Sequence, residues 1–198
     1  MALIFSTAIK FFFLFAPFFV VSMFLAMTKS KTVNERAKIA NRAVIAAMCI
    51  SLVLMFFGEA LFSILGITLD SFRIGAGSLL FLSAVSLVSD GVRSHATGAE
   101  SVEDVAVVPL AIPTIIGPAT IGAILVIGAE LESEQLVYGI LGMLIALLAL
   151  LILLHISVRI EKVLGRTGLN ILSKITGLIL AAMAAQIVFS GIKSFLNL

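Results

Sequence analysis

The sequence predicts an all-α, polytopic membrane protein that crosses the bilayer six times, with its first and fourth helices discontinuous. Three observations lead there. Of the 198 residues, 61% are hydrophobic and 12% charged, against roughly 45–50% and 25% in a soluble domain. The apolar residues fill long blocks broken by short polar stretches at 28–42, 90–106, 130–135 and 158–170. About 20 apolar residues carry one helix across the hydrocarbon. Finally, Pro109, Pro113 and Pro118 crowd into ten residues of one apolar block, and Pro17 interrupts the first. A soluble enzyme, a disordered chain and a nucleic-acid binder are excluded by the first two observations.

The helices are placed near residues 3–27, 43–65, 71–90, 106–129, 136–157 and 170–195. In the first, Lys10 followed by the 17-residue apolar run Phe11–Met27 imitates a signal peptide. That run exceeds the roughly 7–15 residues of such a segment, so it is read as a retained span. The 46 residues from Ala43 to Val88 are too long for one crossing and are split at Gly66–Ser71. There a glycine ends one helix, and Thr68 and Asp70 are cap candidates for the next. Small residues recur every four positions on the sixth helix (Gly177, Ala181, Ala185) and at Gly142 and Ala146 on the fifth, which suits close helix packing. Cys49 stands alone in an apolar run and reads as a small buried hydrophobe.

Loop charge orients these spans. Lys29, Lys31, Arg36, Lys38 and Arg42 in the first loop, Arg93 in the third, and Arg159, Lys162 and Arg166 in the fifth fall on one side. The other side has Arg73 and Lys193, and its fourth loop offers Glu130, Glu132 and Glu134. The basic side is therefore expected in the cytoplasm, leaving both termini outside. The single membrane domain, 1–198, divides into repeat one (about 1–91), a cytoplasmic connector (91–105) and repeat two (about 106–198). At an offset of 101 residues Ala16-Pro17 falls on Gly117-Pro118, Arg73-Ile74 on Lys174-Ile175 and Leu79 on Leu180. Duplicating three spans inverts the second copy, an arrangement common among secondary transporters.

Within the fourth span, each proline removes a hydrogen-bond donor and crowds the carbonyl four residues back. Freed backbone groups in hydrocarbon must be satisfied by protein or by a water-filled cavity. The functional reading is a broken helix whose restarting amides, near Gly117 to Thr120, face an anionic group. The competing reading is a kinked helix with Pro109 at its first turn. Thr114 and Thr120 could add hydroxyl contacts or bond their own backbone.

Pro113 with Gly117-Pro118 resembles the P-x-x-x-G-P-G motif of the MarC family of bacterial inner-membrane proteins. Phe57-Gly58-Glu59-Ala60-Leu61, Gly66-Ile67-Thr68-Leu69 and Phe72-Arg73-Ile74-Gly75-Ala76-Gly77 resemble that family's central block, and the likeness extends over essentially the whole chain. The resemblance implies a bacterial inner-membrane location and a secondary transporter of small neutral amino acids such as glycine and alanine. It also implies the three-plus-three arrangement shared with LysE-type exporters. Its motifs map candidate substrate contacts onto Pro17 and Phe19 in the first span and onto Pro113, Gly117, Pro118 and Ala119 in the fourth; Thr120 joins them through its hydroxyl beside the restarting amides. Of the family's first-span pattern N-P-x-G-x-x-P only Pro17 is kept, because Ala16, Phe19 and Ser22 occupy the other motif positions. In the fourth span Ala119 replaces a glycine. A non-transporting membrane scaffold that kept the fold is therefore the alternative.

Glu59, about 10 Å along its helix from Gly66, is an ionisable residue at membrane depth and a functional candidate by default. Arg73, just inside the next span, is its expected partner. Three readings follow: an ion pair that locks the second and third spans together, a protonation site that couples transport to a proton (or sodium) gradient, or a lone carboxyl kept neutral by desolvation. No G-x-x-x-x-G-K, H-E-x-x-H or G-x-S-x-G motif occurs, so neither an enzyme nor a cofactor or metal is expected. The expected partners are the lipid bilayer and a small neutral solute, with no nucleic acid.

Overall fold

The computed structural model describes residues 2–89, 106–131 and 133–196; the connector 91–105 lies outside them. In chain order the elements are α1 (Ala2–Leu14), α2 (Pro17–Met27), α3 (Val33–Leu65), α4 (Leu69–Ser89), α5 (Ala106–Ile115), α6 (Pro118–Glu130), α7 (Ser133–His155) and α8 (Ser157–Phe195). Among the described residues four helices are long and apolar enough to cross a membrane, and five if the bent α1–α2 pair counts as one span. The fold is all-α and polytopic.

Two helices are longer than their apolar blocks suggest. α3 starts at Val33 rather than near 43, and its 33 residues reach about 50 Å, well beyond the roughly 30 Å hydrocarbon core. Its basic first turns are helical because Thr32 caps them. The Glu35 amide donates to Thr32 Oγ1, and the Glu35 carboxylate accepts from the Thr32 amide at 2.7 Å. This T-x-x-E box is visible in the sequence. Arg36 then closes the first loop by donating to the Lys31 and Lys29 carbonyls. Likewise the polar stretch 158–170 is not a loop but part of α8, kinked at Gly165, whose φ is 64°. Between α3 and α4 the turn forms where expected, with Gly66 at φ 65° and Thr68 Oγ1 accepting from the Ser71 amide. Cys49 is exposed rather than buried.

Between spans in lipid, close approach rather than solvent exclusion holds helices together. α4 and α8 run antiparallel, and their contact is reciprocal. A Cβ on Gly77 would stand 3.1 Å from the Ala184 carbonyl oxygen and 2.7 Å from a Val188 methyl. One on Gly177 would stand 3.0 Å from the Ala84 carbonyl oxygen and 2.9 Å from a Val88 methyl. Gly77, Ala84 and Val88 each stand 100 residues before Gly177, Ala184 and Val188. The register in these helices is therefore one residue shorter than the offset that aligns the prolines. Elsewhere Gly142 admits α1 at Thr7 and Ala8, Gly122 meets Ala76, and Gly128 meets the Met55 backbone.

Candidate functional site

Both proline-marked helices break, and both restart on the proline. α1 and α2 meet at 43°. The Phe15 amide donates to the Phe11 carbonyl, the Ala16 amide to Phe13, and Ala16 turns the chain at φ 45°, ψ 58°. Pro17 then opens α2, where a missing N–H is harmless. The Val20 amide donates to the Ala16 carbonyl, the first bond of the new helix. In the second break α5 is a wide, π-type helix that ends with the Ile116 amide bonded to the Ala111 carbonyl at 2.9 Å. Gly117 follows with extended backbone (φ −83°, ψ 171°), and Pro118 opens α6. Its first intrahelical bond runs from the Ile121 amide to the Gly117 carbonyl, so the Ala119 and Thr120 amides precede the ladder and point out of the helix start.

The two breaks border one cavity of about 330 Å³. Leu14, Ala16 and Phe19 line it from the first break, and Pro113, Thr114 and Gly117 through Thr120 from the second. α4 contributes Leu80, Leu82, Ser83, Ser86 and Leu87, and α8 contributes Leu180. Among the described residues that line it, none carries a charge. Of the residues singled out in the sequence, Phe19, Pro113, Gly117, Pro118, Ala119 and Thr120 thus share a wall space. Pro17 is buried at the start of α2 without lining it. The contribution of α4 was missed; its signal is a pair of serines three apart in an otherwise apolar stretch.

On α4 the lining residues, Leu80 to Leu87, lie in the second half of the helix, toward its end at Ser89. At the opposite end, Arg73 fastens the start of α4 to the end of α6. Its Nη1 donates to Asp70 at 2.7 Å and its Nε to Glu130 at 2.9 Å. Gly191 brings α8 to the same place, beside the Arg73 Cβ and the Asp70 carbonyl. Arg73 therefore does not line the cavity; the Glu59 side chain lies outside the described residues. Among the described residues no group of acidic, histidine or cysteine side chains is arranged to hold a metal ion.

A model of the MarC family, described as an integral membrane protein family, matches residues 1–196. The chain belongs to the MarC family. Among curated MarC-like relatives, a UPF0056 membrane protein of Methanocaldococcus jannaschii is 35% identical over 188 residues, 91% of each chain. One from Aquifex aeolicus is 31% identical over 91% of this chain and 88% of its own. The UPF0056 inner membrane protein YhgN of Escherichia coli K12 is 28% identical over 98% of both. These names describe membrane proteins and no enzyme. No solved structure matches the chain. As a MarC-family member the protein is an integral, multi-pass membrane protein.

Proposed function

We propose that this chain is a secondary transporter of small neutral amino acids or similar small solutes, located in the bacterial inner membrane. The observation that carries the reading is the single cavity bordered by both helix breaks. At about 330 Å³ it stands at the small end of ligand pockets, roughly 300–1,000 Å³. Its described walls are apolar with a few hydroxyls and no charged side chain, which suits a solute of zero net charge. The α-carboxylate of an amino acid fits the start of α6, where unladdered amides and the helix dipole favour an anion.

Transport would follow an inverted repeat of three spans each, about 1–91 and 106–198, rocking one against the other. Six crossings with both termini outside agree with the loop charges. The reciprocal Gly77 and Gly177 contacts support a two-fold relation between the halves. The coupling role is assigned to Glu59, as acceptor of a proton, with an ion pair to Arg73 as its structural alternative. The second reading, a membrane scaffold without transport, is favoured by Ala16 and Phe19, which leave the first break without a polar side chain.

The test is exchange of labelled glycine, alanine and larger neutral amino acids by the reconstituted protein. Saturable flux of the small ones is expected. Absence of flux across the whole panel supports the scaffold instead. Glu59→Gln at normal protein level should abolish only the gradient-driven component; if the protein disappears, Glu59 is structural.

A further inference from the structure

We infer that Ser83 and Ser86 on α4 are specificity-determining contacts for the solute, forming the hydroxyl wall that accepts its ammonium or other hydrogen-bond donor. This rests on the transport reading above and deepens it. Several hydroxyls elsewhere in these helices are consumed locally, while the Ser22 and Ser51 hydroxyls are buried away from the cavity without a partner. Ser78 donates to the Ile74 carbonyl at 2.7 Å, Ser173 to Leu169 and Thr176 to Leu172, both at 2.9 Å. Such back-bonding is the normal refuge of a serine in an apolar helix. Ser83 and Ser86 have no such bond among the described hydrogen bonds, and both line the cavity. They sit three apart, on one face of α4, with Leu80 and Leu180 nearly closed to solvent (2% exposed each) beside them.

A serine hydroxyl both donates and accepts, so the pair can take a cationic or neutral donor while the start of α6 takes a carboxylate. The arrangement also accounts for the apolar first break. Polar recognition moves from the first span, where Ala16 and Phe19 stand, to the third. The class of ligand follows: a small zwitterion, or a small neutral molecule carrying a donor at one end and an acceptor at the other. Both serines are exposed, so a purely apolar solute seated on them would strip their hydration without replacing it.

The experiment is exchange kinetics in proteoliposomes for the unaltered protein, Ser83→Ala/Ser86→Ala, and Ser78→Ala as a control on the same helix. The double variant is expected to raise the half-saturating glycine concentration about tenfold with little change in maximal rate. Ser78→Ala should match the unaltered protein, and Ser83→Thr/Ser86→Thr should recover most of the loss. A second measurement does not depend on flux. Ser86→Cys in a Cys49→Ala background should react with a hydrophilic thiol reagent, and saturating glycine should slow that reaction several-fold. If the unaltered protein exchanges glycine while the double variant keeps its affinity, or if glycine leaves the Ser86→Cys labelling rate unchanged, the serine assignment is overturned and the transport reading stands. If the unaltered protein exchanges nothing, both fail.

Discussion

The contact between α4 and α8 and the pair of helix breaks are both duplicated features of this chain, yet only the first is symmetric. Gly77 meets Ala184 and Val188 as Gly177 meets Ala84 and Val88. At the breaks the chain restarts on proline in both halves, but the turns differ. The first is narrow, placed on a left-handed alanine, and flanked by Phe15 and Phe19. The second is wide, placed on an extended glycine, and followed by Ala119 and Thr120. The shared contact is scaffold, where the same small residues solve the same packing problem twice. The breaks have diverged, and the polar surface of the cavity comes from the second break and from α4.

The largest effect should come from filling the symmetric contact. Gly77→Leu and Gly177→Leu each force a side chain against a helix backbone, and each should cost about 3 kcal/mol of stability in detergent, measured by thermal unfolding. Equal losses sharpen the two-fold comparison; a loss at only one site breaks it. Next, Thr120→Val keeps the shape of the second break and removes its hydroxyl. The half-saturating glycine concentration should rise about tenfold, more than in Phe19→Ala at the first break, which removes an apolar part of the wall. Equal sensitivity would mean that both breaks read the solute.

Smaller effects separate the two turns by sign. Ala16 at φ 45° occupies a region that disfavours an L side chain by about 1–2 kcal/mol. Ala16→Gly should therefore raise stability by about 1 kcal/mol. Gly117→Ala should lower it by about 1 kcal/mol, because the new Cβ stands 3.0 Å from the Pro113 carbonyl oxygen. Shifts of the same sign would remove the distinction between the turns. Smallest is Glu130→Gln. The Arg73–Glu130 pair is partly exposed, with Glu130 at 40%, so its loss should cost under about 1 kcal/mol and less at high salt. A larger loss would make this pair a principal clamp of that end of the bundle.

Local features were legible in the sequence and tertiary ones were not. Proline chemistry located both breaks, and glycine followed by threonine located the α3–α4 turn. The early start of α3 was written in the Thr32–Glu35 box but hidden by the basic residues around it, which read as loop. Arg159, Lys162 and Arg166 concealed the first turns of α8 in the same way, since charge marks the membrane boundary and not the end of a helix. The Arg73–Glu130 pair joins residues 57 apart, a partnership set by how α4 packs on α6. Ser83 and Ser86 looked like ordinary helix serines until their helix was seen to wall the cavity. Cys49 was misjudged because an apolar run in lipid has no obligatory buried face.

Binding of labelled glycine or alanine to the purified protein by equilibrium dialysis tests the central claim most directly. Saturable binding near one solute per chain is expected, competed by other small neutral amino acids and lost in Gly117→Leu, which fills the wall of the cavity. Absence of saturable binding for every small neutral amino acid, or undiminished binding by Gly117→Leu, would contradict a solute site between the two broken helices.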